Sequence, residues 1–128
     1  MTKGLSEVQY LTISLLPDFK APLGVILPEV RILLRDESIT AARFDEELRG
    51  LETAGLVIVT TDEPDDGFRK ATEADRALVV AEYERGERDI NQMQQRFDAI
   101  ELWLEITDKG RKELVDDPRD VAEYPLAN

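Results

Sequence analysis

Residues 48–67 read LRGLETAGLVIVTTDEPDDG. Leu48 and Leu51, with Phe44 before them, recur at i, i+4 and i+7, which puts one apolar face on a helix. Gly55 follows as the residue able to take a positive φ after the last turn. Leu56 to Thr61 is rich in β-branched residues and predicts a strand, apolar on both faces and so covered on both. The acidic DEPDDG then turns the chain. Helix, glycine stop, strand and turn follow in that order, and the rest of the chain is read outward from them.

Upstream, Thr40 is a good N-cap for the helix that holds Phe44. Gly50 inside that helix costs about 1 kcal/mol relative to alanine, so a close backbone approach is expected there. An earlier helix carries Val30, Leu33 and Leu34 on its buried side, with Pro28 in its first turn and Asp36, Glu37 and Ser38 at its end. Residues 18–27 read as a connection. The first helix starts at Ser6, which with Gln9 has capping-box spacing. Leu5, Val8, Leu11 and Leu15 share its face, and Pro17 stops it.

Downstream, Ile100, Leu102, Leu104 and Ile106 alternate with Glu101, Trp103 and Glu105, a strand with one apolar face. Thr107 caps a last helix, with Asp108 favourable at its positive end and Leu114 and Val115 packing it back. Residues 118–128 read as a tail. In residues 68–98, Thr72 and Asp75 mark a helix start; Ala74, Leu78 and Ala81 share a face; and Ile90, Met93 and Phe97 repeat helically after Gly86. One long or two broken helices fit, and the run ALVV at 77–80 also fits a strand.

A chain of 128 residues with 42% hydrophobic and 34% charged residues suits one domain with a modest core. It has no cysteine and no histidine, which removes disulfides, thiolate chemistry, His-based triads and His metal sites. No dinucleotide fingerprint, phosphate loop or nucleophile elbow is present. The expectation is therefore a non-enzyme with no cofactor, no catalytic residue and no metal. Apolar runs such as LTISLL are too short to span a bilayer, and the first residues lack the apolar core of a signal peptide, so the cytoplasm is the expected compartment. The formal net charge is −12, nearly neutral over residues 1–39 and acidic beyond, a field that opposes a phosphate backbone.

The segment LPEVRILLRDESITAARFDEELRGLETAGLV resembles the helix 2, turn, helix 3 unit of the winged helix-turn-helix superfamily. Its end is similar to the L-x-x-L-x-x-x-G-L-V pattern found there, through Leu48, Leu51, Gly55, Leu56 and Val57. ITDKGRKEL resembles the L-T-x-x-G motif that follows the wing in MarR- and PadR-type regulators, through Ile106, Thr107 and Gly110, and DEPDDGFRK is loosely similar to a MarR-type wing tip. The resemblance implies an α+β, mostly helical domain over residues 1–117, with a small antiparallel β-hairpin as the wing. It departs from the family in having about 38 residues between Thr61 and Ile100, longer than hairpin loops. These are expected as a helical insertion, 68–98, between the wing strands.

The family's usual role implies a transcriptional-regulator-like DNA binder, with Thr40, Arg43, Arg49, Arg69 and Lys70 as contacts. Asp45, Glu46, Glu47 and Glu52 on the same helix argue for another use: an acidic protein-interaction module or DNA mimic that meets a basic protein. In that reading Arg43 and Arg49 lie on a solvated face, Asp45 pairs with Arg49 at i, i+4, and Arg69 and Lys70 pair with Asp65 or Asp66. Asp62, Asp66, Gly67 and Glu73 match part of a calcium loop, but Pro64 stands at a ligand position and the loop follows a strand. Trp103 shares a strand face with two glutamates. It is expected either under the 68–98 helices or, with Ile90, Met93 and Phe97, on a homodimer or partner surface.

Overall fold

A computed structural model of the chain describes residues 4–17, 19–63, 67–86 and 100–120. Helix α1 spans Glu7–Leu15, strand β1 Ala21–Pro22, helix α2 Leu23–Leu34, helix α3 Ala41–Thr53, strand β2 Val57–Glu63, strand β3 Gly67–Lys70, helix α4 Glu73–Glu84, strand β4 Leu102–Ile106 and helix α5 Asp108–Asp116. The fold is α+β, with a four-stranded antiparallel sheet in the order β1-β4-β2-β3.

Helix termini obey the local chemistry of their residues. Ser6 and Gln9 form the expected capping box, and Leu16 and Pro17 lie beyond the end of α1. Helix α2 starts five residues before Pro28, directly after Pro22. Pro28 is therefore an interior residue that withholds one backbone donor, and the expected connection over 18–27 is in part strand and first helical turn. The reason is apolar burial: Leu23, Ile26 and Leu27 are all inside, so packing extends the helix past its weakest position. Arg35 closes α2 in the left-handed region at φ 52°, and Ser38 N–H donates to Asp36 Oδ1 across the following turn. Arg31 Nε donates to the Ile39 carbonyl at 2.7 Å and so ties the end of α2 to the entry of α3.

Helix α3 ends as expected. Gly55 takes φ 78°, its N–H donates to Glu52 O, and Leu56 N–H donates to Leu51 O, both at 2.9 Å. These two bonds make a Schellman cap, which turns the chain into β2. A side chain at Gly50 would meet Gln9 Nε2 at 2.6 Å, so the group that comes close is a side-chain amide of α1 and not the backbone expected there.

Phe44, Leu48 and Leu51 on α3 are sealed against Leu11 and Ile13 of α1, Leu23 and Ile26 of α2, and the inner face of the sheet. That inner face is Val57, Val59 and Thr61 opposite Ile106, Leu104 and Leu102. The outer face carries Ile58 and Thr60 opposite Glu105 and Trp103, with Phe68 and Lys70 beyond. Ile58 is 47% exposed, so β2 is covered on one face rather than on both.

Residues 68–70 do not begin a helical insertion. They belong to β3, which pairs antiparallel with β2, Asp62 opposite Phe68 and Thr61 opposite Arg69. Four residues carry too little periodicity to announce a strand, and the ladder with β2 supplies what their propensity lacks. Helix starts at Glu73, capped by Thr72 and Asp75 as expected, and it includes the ALVV run. Its inward residues are Arg76 and Val79, not the stripe of Ala74, Leu78 and Ala81: Leu78 is half exposed. Thr107 caps α5, whose Leu114 packs partly on the core while Val115 is exposed. The expected tail begins with contacts: Arg119 pairs with Asp117 and stacks over the Tyr10 ring at 4.5 Å.

Candidate functional site

Helix α3 is the element on which the sequence placed its contacts, and two helices flank it. On one side, Ser6 of the α1 cap donates to the Glu47 carboxylate, and Gln9 Nε2 donates to the Glu47 carbonyl at 3.2 Å. On the other side lies α4. The Arg76 guanidinium is buried between α3 and α4, with Asp45 Oδ1 2.8 Å from both Nε and Nη2, and it also binds the Glu52 carboxylate. Burying an arginine requires acidic partners, and Asp45 and Glu52 supply them from positions about two turns apart on α3.

The five expected contacts are not assembled into one positive strip. Thr40 spends its hydroxyl on its own helix, accepting from Arg43 N–H at 3.0 Å. Arg49 pairs with Asp45 at 3.1 Å, the i, i+4 pair expected, and its Nη1 donates to both Glu73 oxygens at 2.7 and 2.8 Å. The Glu73 bond is the main cause that holds the Arg49 pKa above its ordinary value. Arg69 grips Asp75 through two bonds of 2.6 and 3.1 Å, where Asp65 or Asp66 was the expected partner. That pairing keeps the Asp75 carboxyl well below the usual carboxylate range. Asp65 and Asp66 lie outside the described residues.

Arg43 and Lys70 are exposed. Lys70 shares a cleft with Arg49 and Arg76 but also with Glu52 and Glu73, so the sign of charge alternates along it. The solvent face of α3 holds Ala42, Arg43, Glu46, Gly50 and Thr53, one cation beside one acid. At the N-terminus of α3, where backbone donors favour an anion, Ala42 N–H already donates to Glu84 Oε1 of α4 at 2.7 Å.

Of the partial calcium loop, Asp62 accepts from Glu101 N–H at 3.0 Å and Glu73 holds Arg49, so neither carboxylate faces a shared centre; Asp66 lies outside the described residues. Among the described residues no group of three or more acidic side chains could hold a metal ion, and no helix is long and apolar enough to cross a membrane.

A second locality lies on the outer face of the sheet. Trp103 is partly buried there, beside residues of strand and loop. Phe68 of β3 meets it edge-to-face, with centroids 5.6 Å apart and planes at 80°. Lys20 sets its ammonium 5.0 Å from the Phe68 centroid and 2.9 Å from Glu105 Oε1. Phe19, 80% exposed, completes a cleft of about 360 Å³ with Lys20, Phe68, Trp103 and Glu105. Among the described residues the buried Trp103 indole N–H meets no acceptor. Ile90, Met93 and Phe97, grouped with Trp103 from the sequence, lie outside the described residues.

Sequence reading missed Arg76, Phe19, Lys20 and Phe68. Arg76 carries a faint signal, a cation at the inward spacing of α4 beside Val79. The other three converge only through strand pairing. No protein-family model matches the chain, and neither a curated protein nor a solved structure matches it.

Proposed function

We propose that the chain is a winged helix-turn-helix domain, working in the cytoplasm as an acidic protein-interaction module that meets a basic protein segment. Support for the winged-helix part comes from order and pairing. Helices α2 and α3 are joined by the turn at residues 35–40, the glycine cap leads into β2, and β2 pairs with β4 as well as β3.

One observation supports the interaction reading: α4 lies along α3 and neutralises it. Glu73 takes Arg49, and Glu84 takes the amide of Ala42 at the start of the helix. A helix that reads a major groove needs donors for bases and cations for phosphates, and α3 offers Arg43 beside Glu46. With a net charge of −12, the long-range field attracts a basic surface and repels a phosphate backbone.

Parallel titrations test this reading. Mixed-sequence duplex DNA at low salt, where phosphate contacts are strongest, is expected to leave the protein unbound at high micromolar concentration. A lysine-rich polypeptide is expected to bind and to weaken as salt rises. DNA binding under those conditions, or no binding of the polypeptide, would overturn the reading.

A further inference from the structure

The outer face of the sheet holds a cation site that the chain fills with its own side chain. Lys20 precedes β1 at one edge, Phe68 sits in β3 at the other edge, and β4 and β2 run between them. The two side chains nevertheless meet above the strand that carries Trp103. There the ammonium lies 5.0 Å from the Phe68 ring centroid and 2.9 Å from Glu105 Oε1. An aromatic ring and a carboxylate on one ammonium is the chemistry by which proteins recognise alkylammonium groups. Phe19 adds a largely exposed ring at the mouth, Ile58 extends the apolar surface, and the cleft leaves room beside Lys20.

We propose that Phe19, Phe68, Trp103 and Glu105 form a receptor for a lysine side chain of the basic partner, and that Lys20 is an internal occupant which the partner's lysine displaces. The proposal rests on the basic-partner reading above and narrows it to one side chain at one place. A lysine is assigned because a lysine is the group already seated there, and a positive partner is what the field of the protein draws in.

Trp103 is the single tryptophan of the chain, so its fluorescence reports this site alone. The full-length protein is titrated with a short glycine-serine peptide carrying one lysine, and with the same peptide carrying norleucine. The lysine peptide is expected to shift the Trp103 emission and the norleucine peptide to leave it unchanged. Lys20→Ala is expected to bind the lysine peptide about three- to tenfold more tightly, because the internal competitor is gone. A gain of affinity cannot come from misfolding. Glu105→Gln and Phe68→Leu are expected to bind about three- to tenfold more weakly, the latter keeping apolar bulk without the ring.

No tightening in Lys20→Ala, or wild-type affinity in Phe68→Leu, overturns the proposal. So does an arginine peptide that binds more tightly than the lysine peptide. A dimer in sedimentation that Phe68→Leu dissociates would assign the face to a second copy of the chain and overturn it too. A lysine-rich polypeptide that binds without moving Trp103 overturns this site and leaves the basic-partner reading standing. Failure of every basic ligand removes both.

Discussion

The Thr107 hydroxyl donates to the carbonyl of Gly55 at 2.7 Å, and the same oxygen accepts from Gly110 N–H at 3.0 Å. Thr107 N–H also donates to Leu56 O, and Lys109 Nζ to Ala54 O. The start of α5 thus supplies donors to the carbonyls of Ala54, Gly55 and Leu56 in the turn that follows α3. Two motifs 52 residues apart in the chain are the two halves of one joint.

That joint explains a glycine. A Cβ at Gly110 would run into the Leu56 carbonyl and stand 2.7 Å from Ile106 Cγ1, where neither backbone nor a packed core side chain yields easily. Gly110→Ala is expected to cost about 1–3 kcal/mol, as overpacking does. Thr107→Ala is expected to cost about 1–2 kcal/mol through the lost cap and the lost bond to Gly55. Urea midpoints of the two variants check both values, and an unchanged Gly110→Ala would refute the contact.

The Arg76 seam gives a prediction of the opposite kind. Asp45→Ala leaves a buried guanidinium with Glu52 as its described acidic partner, and is expected to cost about 3 kcal/mol, the low end for a broken buried pair. Asp45→Leu with Arg76→Met removes both charges and is expected to recover most of that loss. Equal losses in the single and the double variant would show that the pair itself, rather than an orphaned charge, carries the energy.

Acid should loosen the same region. Asp75 is held below the usual carboxylate range, first by hydrogen bonds from Arg69 and then by Thr72, against desolvation. A depressed folded pKa means that its stabilisation is complete above the unfolded value of about 4 and is lost as pH falls through it toward the folded one. Asp75→Asn, which keeps a cap oxygen, is expected to lower stability at neutral pH and to flatten the fall below about pH 5. A denaturation series in pH with the wild-type slope intact in Asp75→Asn would contradict this.

Thr40 caps α3 with its hydroxyl. Thr40→Ala is expected to cost about 1 kcal/mol and to leave binding of a lysine-rich polypeptide unchanged, whereas Thr40→Asn should restore the stability. A variant of wild-type stability that has lost a ligand would make Thr40 a contact after all.

Local chemistry wrote most of the helices into the sequence. Ser6, Thr40, Thr72 and Thr107 each cap the helix they were expected to cap, because a cap needs only a hydroxyl and the amides three residues on. Gly55 is similar, since only its own φ had to be known. The alternation of 102, 104 and 106 against 103 and 105 named the inner face of β4 for the same reason.

What spacing could not contain was decided by partners distant in the chain. Strand β3 is four residues that hold by pairing with β2, and the start of α2 moved because the core needed Leu23 and Ile26. The cations moved most in meaning. In the sequence Arg49 and Arg69 are either DNA contacts or partners of local acids, Asp45 and Asp65 or Asp66, and the fold adds Glu73 to Arg49 and gives Asp75 to Arg69, on a helix whose position no local pattern announces. Lys20, Phe68 and Glu105 are separated by tens of residues and meet through sheet pairing alone. Caps and periodicity are properties of neighbouring residues, whereas charge pairing and clefts depend on which elements the core brings together.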